Sequence, residues 1–163
     1  MGLLIASEAL AAGEVSRYEL SADYRRLLPD VYASKRMPLS HEDRVVAAWL
    51  WSRREGIICG LAASALHGAR WVDPATPVEL NLPHNKSPSG VITRRDTILG
   101  GEIVTLAGMA VTTVPRTAFD LARRGPFGIA LQRLDALARA TGFDQADVTE
   151  VLDAHPKVRG RCR

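Results

Sequence analysis

Cysteine, aromatic rings and long apolar runs are all scarce in this chain. Of its 163 residues two are cysteine, Cys59 and Cys162, and 6% are aromatic. Two thiols so far apart, in dissimilar surroundings, make no disulfide framework; they read as free, one buried and one in a tail. No stretch approaches the run of about 18 apolar residues that a membrane helix needs. The start, Met1-Gly-Leu-Leu-Ile, has no basic lead and soon meets Glu8, so it is not a secretory signal, and the expected compartment is the cytoplasm. A strong charge of one sign is missing as well. The net charge is +3, yet Lys157, Arg159, Arg161 and Arg163 crowd the last nine residues without an acid. Without those four cations, residues 1–154 hold 17 basic against 18 acidic side chains, a net −1. No global field therefore draws nucleic acid, and any such binding must use local patches. At 47% hydrophobic and 24% charged, the chain is an ordinary globular one. Its length suits one compact domain, or a domain with a small appendage.

Reactive constellations are equally sparse. Gly100-Gly101 lacks the spacing and the following Lys-Ser/Thr of a phosphate cradle. His41, His67, His84 and His155 are scattered with no metal-ligand spacing, so neither a metal nor a cofactor is expected. A restriction-type nuclease needs clustered acids around a divalent ion with a lysine beside them. Asp73 and Glu79 come nearest, but Asn81 stands where that lysine would be. Ser64 with His67 suggests a nucleophile, yet Ala62 and Leu66 occupy the places where a strained elbow needs glycines. Arg116 and Asp120, four apart on one helix face, form a structural ion pair rather than a catalytic dyad. The chain does not read as an enzyme.

The predicted class is α+β, in three parts. Residues 1–36 form a small winged-helix-like element. Ser7-Glu-Ala-Leu-Ala-Ala makes a short helix stopped at Gly13, and Ser16 with Glu19 forms a capping box, with Val15 and Leu20 placed as a hydrophobic staple. This second helix runs to about Tyr24, and Pro29-Asp30 then turns the chain between two short extended pieces. Residues 37–154 form a mixed α/β domain with a short antiparallel sheet and C-terminal helices. Ser40 and Asp43 cap a helix carrying Val45, Val46, Trp49 and Leu50, with Arg53-Arg54 as its basic last turn before Gly56. Strands are expected at Ile57–Cys59, 77–82, 91–95 and 103–106, with a hairpin around Gly108. Pro115 opens a helix that ends at Gly125-Pro126. Phe127, Leu131, Leu134 and Ala138 share one face of the next, closed by Gly142, and Asp144 caps the last. Residues 155–163 read as a basic tail or linker stub.

Within the first element the second helix is the candidate reader of a major groove. Arg17, Tyr18 and Ser21 face outward, while Glu19 serves the cap and Leu20 the core. Arg25, Arg26, Lys35 and Arg36 are the candidate phosphate contacts.

Three segments, residues 8–32, 60–69 and 108–122, together resemble AbiEi-type (abortive-infection, type IV) antitoxins. Glu8-Ala-Leu-Ala-Ala-Gly-Glu-Val-Ser-Arg-Tyr-Glu-Leu, leading to Tyr24-Arg-Arg-Leu-Leu-Pro-Asp-Val-Tyr, resembles their N-terminal winged helix, with Asp30 where the family commonly has glycine. Gly60-Leu-Ala-Ala-Ser-Ala-Leu-His-Gly-Ala resembles a second landmark. Gly108-Met-Ala-Val-Thr-Thr-Val-Pro-Arg-Thr-Ala-Phe-Asp-Leu-Ala resembles a third, the most specific of the set. Leu134–Gly142 and the basic stretch 156–161 are similar to the join, in actinobacterial proteins, between such a region and a Vsr-like endonuclease domain, which has no counterpart here. The resemblance implies a regulator in a toxin–antitoxin system that binds its own operator as double-stranded DNA and counteracts a cognate toxin, directly or only functionally. The alternative is a non-catalytic protein-interaction domain, the remnant of a longer protein with that nuclease.

Overall fold

A computed structural model describes residues 2–70, 72–84 and 87–158. The protein is α+β. Its first part opens on a strand that the sequence pattern does not announce, β1 (Leu3–Ile5), followed by α1 (Ala6–Ala11), α2 (Arg17–Asp23), β2 (Tyr24–Leu28) and β3 (Val31–Ser34). Three residues are too few for a period to show. The strands form an antiparallel sheet in the order β1-β3-β2, with a register shift between Arg26 and Leu28. Gly13, at φ +70°, turns the chain out of α1 in a left-handed conformation that L side chains resist. At α2, Ser16 Oγ accepts from the Glu19 amide and the Glu19 carboxylate accepts from the Ser16 amide, completing the predicted box. Val15 and Leu20 pack with Tyr24 and Tyr32 over Leu4, Ala6 and Ala9, a small core beneath the two helices.

A second capping box, Ser40 with Asp43, starts α3 (His41–Trp51). This helix ends at Trp51, so Arg53 and Arg54 are not its basic last turn. Both lie beyond it in left-handed backbone, at φ 58° and 66°, and the Ser52 hydroxyl ties the turn together by donating to Trp49 O and accepting from Gly56 N. α3 is wedged between the two sheets. Ile5, Leu28 and Val31 from the first sheet meet Val45, Ala47 and Ala48, which in turn meet Ile58, Val78, Leu80 and Val111 of the second. One apolar core thus runs unbroken across residue 36.

The second sheet has five strands in the order β6-β5-β4-β8-β7: β4 (Ile57–Ile58), β5 (Val78–Asn81), β6 (Val91–Arg94), β7 (Ile103–Leu106) and β8 (Met109–Thr112). It is mixed: β4–β5 and β7–β8 are antiparallel, β4–β8 and β5–β6 parallel. α4 (Gly60–Leu66) follows β4, and α5 (Val114–Arg123), α6 (Phe127–Thr141) and α7 (Gln145–Ala154) close the chain. Leu61, Ala118, Leu121 and Leu137 form a second core with Leu134, Phe143 and Val148. α6 is rotated from its expected face. Phe127 and Leu131 are exposed, by 78% and 56%, while Ala130 and Leu137 are buried. Both stripes have helical spacing, and it is the contact with α5 that selects between them. His155, expected in the tail, is buried in the body; Arg159, Arg161, Cys162 and Arg163 lie outside the described residues. Among the described residues no helix is long and apolar enough to cross a membrane.

Candidate nucleic-acid interface

α2 stands in solvent. Arg17, Ser21 and Tyr18, the last 81% exposed, point away from the protein, and Leu20 alone among its residues is part-buried. The cap fixes this polarity: with Glu19 held back on Ser16, the outward face is left to Arg17, Tyr18 and Ser21. The hairpin adds the other cations. Its register pairs Tyr24 with Ser34, Arg25 with Ala33 and Arg26 with Tyr32, which gathers Arg25, Arg26, Lys35 and Arg36 at its open end. All four are exposed.

These cations are not equally available. Lys35 Nζ donates to the carbonyls of Ser21 and Ala22, 2.8 Å each, and so caps the C-terminus of α2. Arg25 donates to Met37 O at 2.7 Å. The guanidinium groups of Arg17, Arg26 and Arg36 have no hydrogen bond or ion pair among the described residues. Glu14, Glu19 and Asp23 line, with Arg36, a cleft of about 280 Å³ between α2 and the hairpin. Residues 1–36 carry five basic and five acidic side chains, so the element as a whole is neutral.

In the body the reactive candidates are separated. Asp73 Oδ1 accepts from the Ala75 amide in a loop, whereas Glu79 on β5 is ion-paired with Arg94 at 2.8 Å and Arg124 at 3.2 Å. The Asn81 amide group grips the backbone of Asp96 from both sides. Among the described residues no group of three or more His, Cys, Asp or Glu is placed to hold a metal. Ser64 is buried, and His67 Nε2 donates instead to Thr112 O at 2.7 Å. Cys59 is buried too, which pushes its thiol up to about 12, far from a reactive thiolate.

Arg116 and Asp120 do pair, at 3.3 Å, within a larger buried network. Arg116 Nη1 also donates to Glu102 at 2.6 Å and to Thr97 O at 2.8 Å, and His155 Nε2 lies 2.6 Å from the other Glu102 oxygen. Arg123 bridges Asp96 and Asp120, and Arg124 joins both of these to Glu79. Burial works against ionisation of Asp96 and Glu102. For Asp96 the neighbouring Arg124 and Arg123 outweigh it; for Glu102 the Leu99 amide, His155 and Arg116 do, so both carboxyls lie below their ordinary range. Four carboxylates and four guanidinium groups balance. The network fastens α5 to the sheet and to the end of α7. Glu102 and His155 escape sequence reasoning because only the fold brings them to Arg116. No known family model matches the chain, and no characterised protein matches it in sequence.

Proposed function

We propose that this protein is a DNA-binding regulator of the antitoxin type, which recognises operator DNA through its first 36 residues and counteracts a cognate toxin from the same cytoplasm. The observation that carries the reading is α2 itself: a doubly specified helix turned almost wholly to solvent, followed at once by a hairpin with cations at its open end. Arg17, Tyr18 and Ser21 contact base edges in the major groove, and Arg26 and Arg36 contact phosphates, while Arg25 points from the other face of β2 toward Met37 O. Lys35 contributes by holding α2 together. The buried charges of Arg116, Arg123 and Arg124 are matched by Glu102, Asp96, Asp120 and Glu79, and the reading invokes no catalysis and no cofactor.

The test is fluorescence anisotropy with a duplex from the DNA directly upstream of the protein's own coding sequence. Arg26→Ala/Arg36→Ala should weaken binding to all sequences alike and flatten the dependence of log affinity on log salt by roughly 0.9 per lost contact. Unchanged affinity and slope would remove the hairpin from the interface. A second reading, a non-catalytic interaction domain, draws on the exposed Phe127 and Leu131, one turn apart on α6. Co-purification with a neighbouring gene's product, without any DNA binding, would favour it.

A further inference from the structure

Among the described residues, four other than glycine adopt left-handed backbone, and three of them meet at one place. Asp30 (φ 63°) forms the hairpin tip, and Arg53 and Arg54 (φ 58° and 66°) follow α3; the fourth, Ala107, lies in the β7–β8 turn. Such conformations are costly for L residues and persist where the surroundings over-determine them. Here the backbone aims three charged side chains at α1. Asp30 Oδ1 accepts from the Ser7 amide at 3.0 Å, Asp30 Oδ2 accepts from the Ser7 hydroxyl, and Asp30 O accepts from the Ala6 amide at 2.8 Å. Arg53 pairs with Asp30 at 2.7 Å and reaches the Ser7 hydroxyl at 3.3 Å. Arg54 holds both oxygens of Glu8, at 3.0 and 2.8 Å.

Beneath this cluster the apolar grip on the two helices is slight. α1 buries only Ala6 and Ala9, and α2 offers Leu20 alone. Small side chains permit several tilts, whereas a two-pronged guanidinium–carboxylate pair narrows them. We propose that Arg53 and Arg54 are positioning residues that latch α1–α2 to the body and set the angle at which α2 meets duplex DNA. The latch concerns the geometry of the protein alone; only its consequence for affinity rests on the DNA-binding reading.

The experiment uses the full chain with Cys162→Ser and nitroxide labels on Ala22→Cys and Thr105→Cys, both exposed positions. Buried Cys59 stays unlabelled. In Arg53→Ala/Arg54→Ala the distribution of label-to-label distances should broaden. Affinity for the upstream duplex should drop about tenfold with the salt slope unchanged, since no phosphate contact is removed. Exchanging the charges, Glu8→Arg with Arg54→Glu, should narrow the distribution and recover most of the affinity. An unchanged distribution overturns the latch, and a broadened one with unchanged affinity overturns its positioning role. If the unaltered protein binds no duplex, the DNA-binding reading falls, and the distance measurement alone decides the latch.

Discussion

Replacing Arg116 by methionine tests whether the buried charge network holds the helical layer to the sheet. The guanidinium group is 1% exposed and has Glu102, Asp120 and the Thr97 carbonyl as partners, with the Phe119 ring 5.6 Å away. Methionine keeps much of the volume, so the loss is electrostatic rather than a cavity. Removing one partner of a buried pair costs about 3–5 kcal/mol, because the other charge is left uncompensated. The lower end applies here: Asp120 keeps Arg123 and Arg124, and Glu102 keeps His155 and the Leu99 amide. About 3 kcal/mol is expected, a fall in Tm of roughly 6–12 °C for a chain of this size. Urea unfolding measures it, with Arg139→Ala as control. That residue's exposed pair with Asp135, at 3.0 Å, should contribute no more than about 0.5 kcal/mol. In Arg116→Met/Glu102→Gln the stranded carboxylate is gone, and at least about 1 kcal/mol should return. If Arg116→Met costs under about 1 kcal/mol, or the double variant recovers nothing, the network does not hold the layer.

Two further outcomes follow from the same groups. At Gly60 (φ 59°) an added Cβ would lie 2.3 Å from Glu79 Oε1 and 2.6 Å from its Cδ, so Gly60→Ala must both strain the backbone and push Glu79 off Arg94 and Arg124. A loss of about 2–4 kcal/mol in urea unfolding is expected, and a loss below about 1 kcal/mol would contradict this packing. Asp96 and Glu102 ionise more readily folded than unfolded, so their contribution is complete above the unfolded carboxyl range near pH 4. It disappears as the pH falls through their lowered folded values. Stability measured from pH 7 downward should therefore drop below about pH 4, less steeply in Asp96→Asn, and a flat profile down to pH 3 would refute the assignment.

The features legible in the sequence are those written within a few residues of themselves. Ser16 with Glu19, Ser40 with Asp43, and Asp144 with Asp147 each place a cap and its reciprocal three apart, and all three boxes form. The alternation in Val78–Asn81 and the Ala107-Gly108 turn carry their strands in the same way. What stayed hidden depends on distant partners. β1 is a strand because β3 returns beside it, and α6 presents Ala130 and Leu137 inward because α5 lies there. Arg53 and Arg54 looked like an ordinary basic helix end until the fold laid α1 across them.

Charge shows the difference most sharply. A sequence counts 21 basic residues, but binding depends on how many remain unmatched once the chain is folded. Arg94, Arg116, Arg123 and Arg124 are matched within the body, Arg53 and Arg54 at α1, and Lys35 on the end of α2. Around α2 the cations without an ion pair among the described residues include Arg17, Arg25, Arg26 and Arg36, and Glu14, Glu19 and Asp23 share the neighbouring cleft with Arg36. Five basic and five acidic side chains over residues 1–36 give little non-specific attraction to a polyanion. On the proposed DNA-binding reading, affinity must then come from how well Arg17, Tyr18 and Ser21 fit one sequence, which makes the angle of α2 matter more than the charge of the protein.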